Sequence, residues 1–323
     1  MLAALSLLPA LCLVPSCAGE GAGGPRGDVG RLAVVSTVFP SYDFVREIAG
    51  DRVENVMLLP PGAESHSFEP TPQDIIRIQD CGLFIYVGGE SDRWIGNILD
   101  SIEAPRMRVI KMLECVEAVE EEIVEGMEDG EGAGAGGRPA PAAEKSLKEY
   151  DEHVWTSPRN AAVIAEAVAE ALCETDPSNA AAYRENMLAY KEKLEALDGA
   201  FREVVGQGRR KTVVFADRFP FRYLADAYGL DYYAAFPGCA TETEASAATV
   251  VFLIDKIRAE GIPAVFHTEF SNQRMADVIC EETGARKLLL HACHNVSRDD
   301  LQGGATYLSL MGRNVESLRE GLS

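Results

Sequence analysis

The stretch PSNAAAYRENMLAYKEKLEALDGAFREVV, residues 177–205, decides how the rest of the chain must be arranged. Pro177 can open a helix, and apolar residues then recur at every third or fourth position, which predicts one amphipathic helix. Its apolar positions are Tyr183, Met187, Tyr190, Leu194, Leu197, Phe201 and Val204. A helix of about 28 residues would span roughly 40 Å. Because that length is too great for one small lobe, we expect the helix to bridge two.

Short apolar runs alternate with helical patterns on both sides of this predicted helix. Before it, the runs that predict strands are Leu32–Thr37, Val53–Leu59, Leu83–Gly89 and Arg108–Leu113. After it, they are Lys211–Phe215, Leu230–Phe236, Ala264–His267 and Lys287–Leu290. Since polar residues do not alternate within most of these runs, they favour parallel strands with helices on both faces. The expected fold class is α/β: two similar lobes with parallel central sheets, joined by a long helical spine, with a cleft between them.

Changes in composition divide the 323 residues into four predicted parts. Residues 1–30 are an apolar leader and linker, residues 31–157 an N-terminal lobe, residues 158–206 the linking helices and residues 207–323 a C-terminal lobe. Inside the first lobe, residues 114–146 are acidic and then rich in Gly and Ala, without helical or strand periodicity. That segment is expected to be an exposed, flexible loop.

The charge balance excludes several classes of function. Thirty Lys and Arg stand against 51 Asp and Glu, which gives a formal charge of −21. Binding to nucleic acid without sequence preference requires a cationic face, so we expect no nucleic-acid partner. A hydrophobic content of 47% indicates a folded globular protein. No apolar run of about 18 residues follows the N-terminus, so a protein with several membrane spans is excluded.

The N-terminus reads as an export signal. Residues 1–16 are almost wholly apolar, and the sequence Val14-Pro-Ser-Cys17 resembles a lipobox that would place Cys17 for acylation. We therefore expect an extracytoplasmic protein, periplasmic or at the cell surface, anchored to the membrane by lipid. Six cysteines lie beyond Cys17 without any CxxC pair, and the sequence leaves open whether they form disulfides or stay as thiols.

Histidines are the most informative polar residues. The chain has five, His66, His153, His267, His291 and His294. Four of them fall where a predicted strand ends or where a loop enters a helix, and in open α/β sheets that edge is where ligands bind. Imidazoles from separate loops, completed by a carboxylate, are the donors that zinc prefers. The spacing is not a compact metal motif, and a lone loop histidine is more often a structural or solvent-exposed residue than a metal ligand.

Three longer motifs carry a family resemblance. They are the segments PGAESHSFEPTPQD at residues 61–74, VGGESDRW at residues 87–94 and DEHVWTSP at residues 151–158. Together they resemble the solute-binding lipoproteins of zinc and manganese ABC importers, from about Leu32 to the C-terminus. The resemblance implies two α/β lobes, a rigid helix between them and one metal ion in the cleft. It also implies that His66 and His153 are the two ligands from the first lobe.

The second lobe departs from the family pattern. Arg218 stands where many members have a third histidine, and an arginine cannot bind a cation. His291 stands where members often have an aspartate, and Glu269 lies near a glutamate that some members use. The predicted metal ligands are therefore His66, His153, His291 and Glu269. His294 and Asp217 are the alternatives if one of these is not a ligand.

Arg218 is expected to pair with Glu242, Glu244 or a ligand carboxylate. Three nitrogen ligands and one oxygen favour Zn²⁺ over Mn²⁺, which prefers oxygen-rich sites. The expected function is capture of a divalent metal ion, most simply Zn²⁺, by a monomer that delivers it to an ABC importer permease.

Three alternatives stay open at this point: a manganese-binding member of the family, a surface adhesin that uses metal to hold its lobes together, and a zinc hydrolase. The hydrolase is disfavoured because the sequence has no HExxH, G-x-S-x-G or P-loop motif. We therefore expect a binding protein and not an enzyme.

Overall fold

A computed structural model describes residues 30–65, 67–102, 107–127, 150–240 and 245–323. The predicted signal segment with Cys17, His66, and the glutamates Glu242 and Glu244 lie outside these residues. Within them, Leu32–Ser323 forms one compact unit. The predicted α/β class is confirmed, since two sheets of four parallel strands are each flanked by helices.

The first lobe is built on a sheet with the strand order β2-β1-β3-β4. Its strands are β1 (Leu32–Ser36), β2 (Val53–Met57), β3 (Leu83–Tyr86) and β4 (Arg108–Lys111). Its helices are α1 (Phe39–Ala49), α2 (Pro72–Asp80) and α3 (Arg93–Ser101). All strand pairs are parallel, so the carboxyl ends of the four strands lie at one edge. The loop after β2 carries residues 60–65 along this edge.

The second lobe repeats the plan with the strand order β6-β5-β7-β8. Its strands are β5 (Thr212–Phe219), β6 (Asp231–Pro237), β7 (Ala264–His267) and β8 (Arg286–Leu289). Its helices are α6 (Arg222–Tyr228), α7 (Ala247–Glu260), α8 (Arg274–Thr283), α9 (Arg298–Gln302) and α10 (Tyr307–Gly321). In each sheet the first strand of the lobe lies between its second and third strands, which is the arrangement that opens a ligand crevice in α/β folds.

Two helices connect the lobes, α4 (Pro158–Thr175) and α5 (Ala180–Gln207). The 28 residues of α5 bury the apolar face that the sequence predicted, including Tyr183, Tyr190 and Phe201. That face packs against α1 of the first lobe and against α10 at the C-terminus, as well as against α4. The predicted spine is therefore a single helix whose contacts reach elements of both lobes.

A buried carboxylate links α1 to the start of α10. Asp43 accepts a hydrogen bond from the backbone N–H of Tyr307 at 2.6 Å, and its other oxygen forms an ion pair with Arg46. Arg46 in turn donates to the carbonyl of Ala305 at 2.6 Å. Burial raises the pKa of Asp43 to about 6, against the opposing effect of Arg46. These bonds fix the C-terminal helix to the first lobe.

The described part of the acidic segment makes contacts that its composition did not predict. This part, residues 114–127, follows a short 3₁₀ turn (Met112–Glu114) and then runs along the second lobe. Glu121 accepts a hydrogen bond from the backbone N–H of Cys239 at 2.8 Å. Glu122 pairs with Arg222 at 3.2 Å, and Glu125 pairs with Lys256 at 3.2 Å. Each of these carboxylates meets a donor of the second lobe, so this stretch contacts that lobe while Glu122 and Glu125 remain exposed. Residues 128–149 lie outside the described ranges.

The described residues also bear on the predicted cysteine chemistry, the C-terminal helix and the question of membrane spans. The six cysteines after Cys17 are all free thiols. The helix expected from Gly304 to Leu318 is present as α10, shifted to Tyr307–Gly321 because Thr306 caps it. A short additional helix, α9, precedes it and has Gly303 as its C-cap. None of the described helices has the length and apolar character needed to span a bilayer.

Candidate metal site

A small cavity lies where loops of the two lobes meet. Its volume is about 50 Å³, and it is lined from the first lobe and its connection by Glu64, Ser65 and His153. Arg218, Thr268, Glu269 and His294 line it from the second lobe. Organic ligands require pockets of roughly 300–1,000 Å³, whereas a water molecule fits in about 10–15 Å³ of comparable volume. The cavity can therefore hold a metal ion and one or two waters, and is too small for a metabolite.

His153 is held in place by its own chain segment. The backbone N–H of His153 donates to Asp151 Oδ1 at 2.8 Å, and its ring Nδ1 lies 3.1 Å from the same oxygen. We infer that Nδ1 carries the proton, which puts the lone pair of the neutral ring on Nε2. Burial opposes the charged imidazolium, but the carboxylates of Asp151, Glu152 and Glu121 outweigh burial and raise the pKa of His153.

Trp155 connects His153 to the loop after β8. Its indole N–H donates to the carbonyl of Ala292 at 2.8 Å, and the hydroxyl of Tyr307 donates to the carbonyl of Trp155 at 2.6 Å. The Trp155 ring is 4.9 Å from the His294 ring and 5.6 Å from the His153 ring, between centroids. The two imidazoles are themselves 5.2 Å apart and nearly perpendicular. The Trp155 ring therefore packs against both His153 and His294, which come from opposite sides of the cavity.

Glu269 follows β7 and reaches the same cavity. Its Oε2 accepts a hydrogen bond from the backbone N–H of Ala292 at 2.8 Å. Its Oε1 lies 3.4 Å from Nδ1 of His291, which exceeds the usual length of an N–H···O hydrogen bond. The Glu269 side chain is 8% exposed, so its charge is largely shielded from water. A carboxylate in this position can offer oxygen lone pairs to a cation.

The structure distinguishes the two histidines of the loop after β8. Cys293 donates its backbone N–H to Nδ1 of His291 at 3.0 Å, which places the proton of the neutral ring on Nε2. His291 is buried and is not one of the described residues that line the cavity. His294 lines the cavity, with its Nδ1 3.2 Å from the hydroxyl of Ser65.

Arg218 has a partner that the sequence analysis did not name. Its Nη2 lies 3.1 Å from Glu64 Oε2, and its Nη1 lies 3.4 Å from Glu64 Oε1. Nη1 also donates to the carbonyl of Ala240 at 3.1 Å. The predicted partners Glu242 and Glu244 lie outside the described residues, so Glu64 is the carboxylate seen here. The ion pair joins the loop after β2 to the end of β5.

The substitute ligand Asp217 is engaged elsewhere. Its Oδ2 accepts hydrogen bonds from the backbone N–H and the hydroxyl of Thr268, at 3.1 and 2.5 Å. Asp217 lines a second, larger cavity of about 400 Å³ instead of the small one. His267 ends β7, with its Nδ1 2.8 Å from the carbonyl of Thr268, and does not appear among the described lining residues.

Among the residues that the structure describes, no three His, Cys, Asp or Glu side chains already stand close enough to hold a metal ion. His153, Glu269 and His294 share the cavity, but they form an incomplete set. His66 follows the lining residue Ser65 in the sequence and lies outside the described ranges.

Sequence reasoning missed two contributors, Asp151 and Glu64. Asp151 carried a usable signal, because a carboxylate two residues before a loop histidine commonly accepts that residue's backbone N–H. The pair formed by Glu64 and Arg218 carried none, since the two residues are 154 positions apart and belong to different lobes.

Comparisons with known proteins agree with this architecture. The family model described as "Zinc-uptake complex component A periplasmic" matches residues 34–321. The zinc-binding lipoprotein AdcA of Streptococcus pneumoniae is 30% identical over 295 residues, which are 90% of this chain and 56% of that protein. The chain therefore spans little more than half of that relative. The high-affinity zinc uptake system protein ZnuA of Bacillus subtilis is 28% identical over 325 residues and is covered to 96% of its length.

A solved structure extends the likeness to three dimensions. The Zn(II)-bound ZnuA-like domain of Streptococcus pneumoniae AdcA is 26% identical, with a TM-score of 0.73. The match covers 91% of this chain and 99% of that domain. Because the family model covers nearly the whole described chain, this protein belongs to the family of periplasmic component A proteins of zinc-uptake complexes.

Proposed function

We propose that this protein captures one Zn²⁺ ion outside the cytoplasm and delivers it to the membrane permease of an ABC importer. The observation that carries the proposal is the cavity of about 50 Å³ into which His153, Glu269 and His294 converge from both sides. Its size suits an ion, and its donors are those that zinc prefers. The family membership supports the same function.

The proposed ligands are His66, His153, Glu269 and one histidine of the loop after β8. His66 comes from the sequence resemblance, and its neighbour Ser65 lines the cavity. For the remaining nitrogen, the geometry favours His294 over His291, because His294 lines the cavity and Nδ1 of His291 accepts a backbone hydrogen bond. Since the described side chains form no complete set, ion binding would draw them closer together.

An uptake component must bind its cargo and release it unchanged, and we assign this protein no catalytic role. Cys17 is the proposed acylation site, which would hold the protein at the outer face of the cytoplasmic membrane. The name of the pneumococcal relative, a lipoprotein, agrees with such an anchor for that protein. The proposed working form is a monomer that docks on a permease.

The experiment is metal analysis of the purified full-length chain by mass spectrometry, paired with calorimetric titration of Zn²⁺ and Mn²⁺. One equivalent of Zn²⁺, bound more tightly than Mn²⁺, is the expected result. Tighter binding of Mn²⁺ would keep the family but replace the proposed cargo and ligand set. Absence of binding by either ion would refute the proposal.

Two variants separate the candidate histidines within the same assay. His294→Ala should weaken Zn²⁺ binding far more than His291→Ala, if His294 is the ligand. The reverse order would restore the ligand set that the sequence predicted. Circular dichroism of both metal-free variants checks that each remains folded, which matters because the His291 side chain is buried.

A further inference from the structure

An arginine at the edge of a proposed cation site requires an explanation, because its charge repels the cargo. Arg218 lines the small cavity together with His153, Glu269 and His294. The Arg218 side chain is only 16% exposed, so water screens its charge weakly. The guanidinium must therefore be compensated by a nearby anion if the cavity is to bind a cation.

Glu64 provides that anion and uses both carboxylate oxygens to do so. Its Oε2 and Oε1 lie 3.1 and 3.4 Å from the two terminal nitrogens of Arg218. This is the two-pronged arrangement that a guanidinium makes with a carboxylate and that an ammonium cannot reproduce. The carbonyl of Ala240 accepts a further bond from Arg218 and fixes the guanidinium from the other side.

Glu64 also lines the cavity, so its carboxylate is a potential metal ligand, but that carboxylate is engaged by Arg218. Without the guanidinium, the cavity would offer two carboxylates, Glu64 and Glu269, beside its histidines. Additional carboxylate oxygens favour harder cations such as Mn²⁺, whereas imidazole nitrogens suit Zn²⁺. Because Arg218 engages the Glu64 carboxylate, it controls the ratio of oxygen to nitrogen donors in the cavity.

We propose that Arg218 is a specificity-determining residue: by holding Glu64 across the cleft, it keeps the site rich in nitrogen and selects Zn²⁺ against Mn²⁺. This inference rests on the proposed function and deepens it. Arg218 acts through Glu64 and does not touch the ion. The cross-lobe ion pair also has a positioning role, because it ties the loop after β2 to the end of β5.

The test measures the affinities of the full-length chain for Zn²⁺ and Mn²⁺ by competition calorimetry. Arg218→Met keeps the side-chain volume and removes the charge, so Glu64 can reach the ion. We expect the preference for Zn²⁺ over Mn²⁺ to fall about tenfold or more, mainly through tighter Mn²⁺ binding. Arg218→Lys retains the charge without the two-pronged geometry and should produce a smaller change.

Two further variants assign the effect to Glu64. Glu64→Gln leaves the charge of Arg218 in the cavity without its carboxylate, so the affinities for both ions should fall about tenfold with little change in their ratio. The double variant, Glu64→Gln with Arg218→Met, has neither charge and should keep the wild-type ratio. Arg258→Met is the matched control, since it removes an arginine from a surface pair with Glu282 on the same lobe.

The outcomes separate this inference from the proposed function. If the wild-type chain binds no Zn²⁺, the proposed function fails first. If it binds Zn²⁺ but Arg218→Met keeps the wild-type ratio, the inference is overturned and the function stands. The inference is also overturned if the double variant loses the preference as much as Arg218→Met does. Thermal unfolding of the metal-free variants provides an independent readout of the cross-lobe pair, and Arg218→Lys carries the test if Arg218→Met does not fold.

Discussion

The two sides of the small cavity are built in different ways. On one side, His153 takes its orientation from Asp151, only two residues away, within a segment that is almost fully buried. On the other side, Glu269 is held by Ala292 at a separation of 23 residues, and Arg218 by Glu64 at 154. A local, buried turn is preorganised, whereas contacts between distant loops depend on how the lobes meet. We infer that the first side supplies most of the affinity and the second side tunes it.

The strongest test of this difference replaces His153, the histidine of the preorganised side. His153→Ala deletes a proposed ligand, and the loss of one of about four donors should weaken Zn²⁺ binding about 1,000-fold. Calorimetric titration measures the change. His267→Gln is the control, because it replaces a histidine at the end of β7 that is not among the described lining residues. Equal losses in the two variants would contradict the assignment of His153.

Acidification tests the same side without a mutation. The raised pKa of His153 means that a proton occupies its ring at higher pH than on an ordinary histidine, and Zn²⁺ must displace that proton. Affinity should therefore be complete above the raised pKa and fall as the pH drops through it. With one proton displaced, the loss between pH 7.5 and 5.5 should exceed the roughly tenfold loss expected of an ordinary histidine, with about 100-fold as its upper limit. An affinity that stays within about threefold over this range would exclude histidine coordination.

Replacing the residue that orients His153 should have an intermediate effect. Asp151→Asn keeps an oxygen that can accept the backbone N–H but removes the charge, so Zn²⁺ affinity should fall by about 10- to 100-fold. The pH at which affinity begins to fall should also move downward, since Asp151 helps to raise the pKa of His153. Asp92→Asn is the control, a partly buried carboxylate of the first lobe that accepts hydrogen bonds from the backbone N–H groups of Val87 and Gly88. A change in affinity without a shift in the pH profile would assign Asp151 a purely structural role.

The smallest effect is expected on the adjustable side. Glu269→Gln retains a carbonyl oxygen and the bond from Ala292, while neighbouring loops can supply another donor. We therefore expect about a tenfold loss of Zn²⁺ affinity, well below that of His153→Ala. Parallel Zn²⁺ titrations of Glu269→Gln and His153→Ala compare the two losses of affinity. A larger loss for Glu269→Gln would reverse the comparison between the two sides.

Most of the fold could be predicted because it follows from local pattern. Helix α7 begins and ends where the sequence indicates, since Ser246 caps it and Gly261 ends it in the left-handed conformation. Strand β5 was expected to end at Phe215 and instead extends to Phe219. After an irregularity between Phe215 and Arg218, its pairing with β6 resumes at Arg218 and Phe219. The extension carries Arg218 beyond the regular part of the strand towards Glu64.

The site was predictable only where its contacts are local. Strand ends located the crevice, and the resemblance indicated His153. The choice between His291 and His294 depends on the backbone N–H of Cys293, a residue with positive φ that periodicity cannot reveal. The packing of the acidic segment was missed for a related reason. Its composition suggests solvation, while the partners of Glu122 and Glu125 lie about 100 or more residues further along the chain.

Because of its position, Trp155 can report ion binding at the cavity through its fluorescence. The chain has two tryptophans, and Trp155 is fully buried with its ring against both His153 and His294. A charged imidazolium quenches indole fluorescence, so an ion that displaces a proton from either ring changes the emission of Trp155. With Trp94 replaced by Phe, the remaining indole would report binding and release of an ion at this cavity in real time, without any added dye.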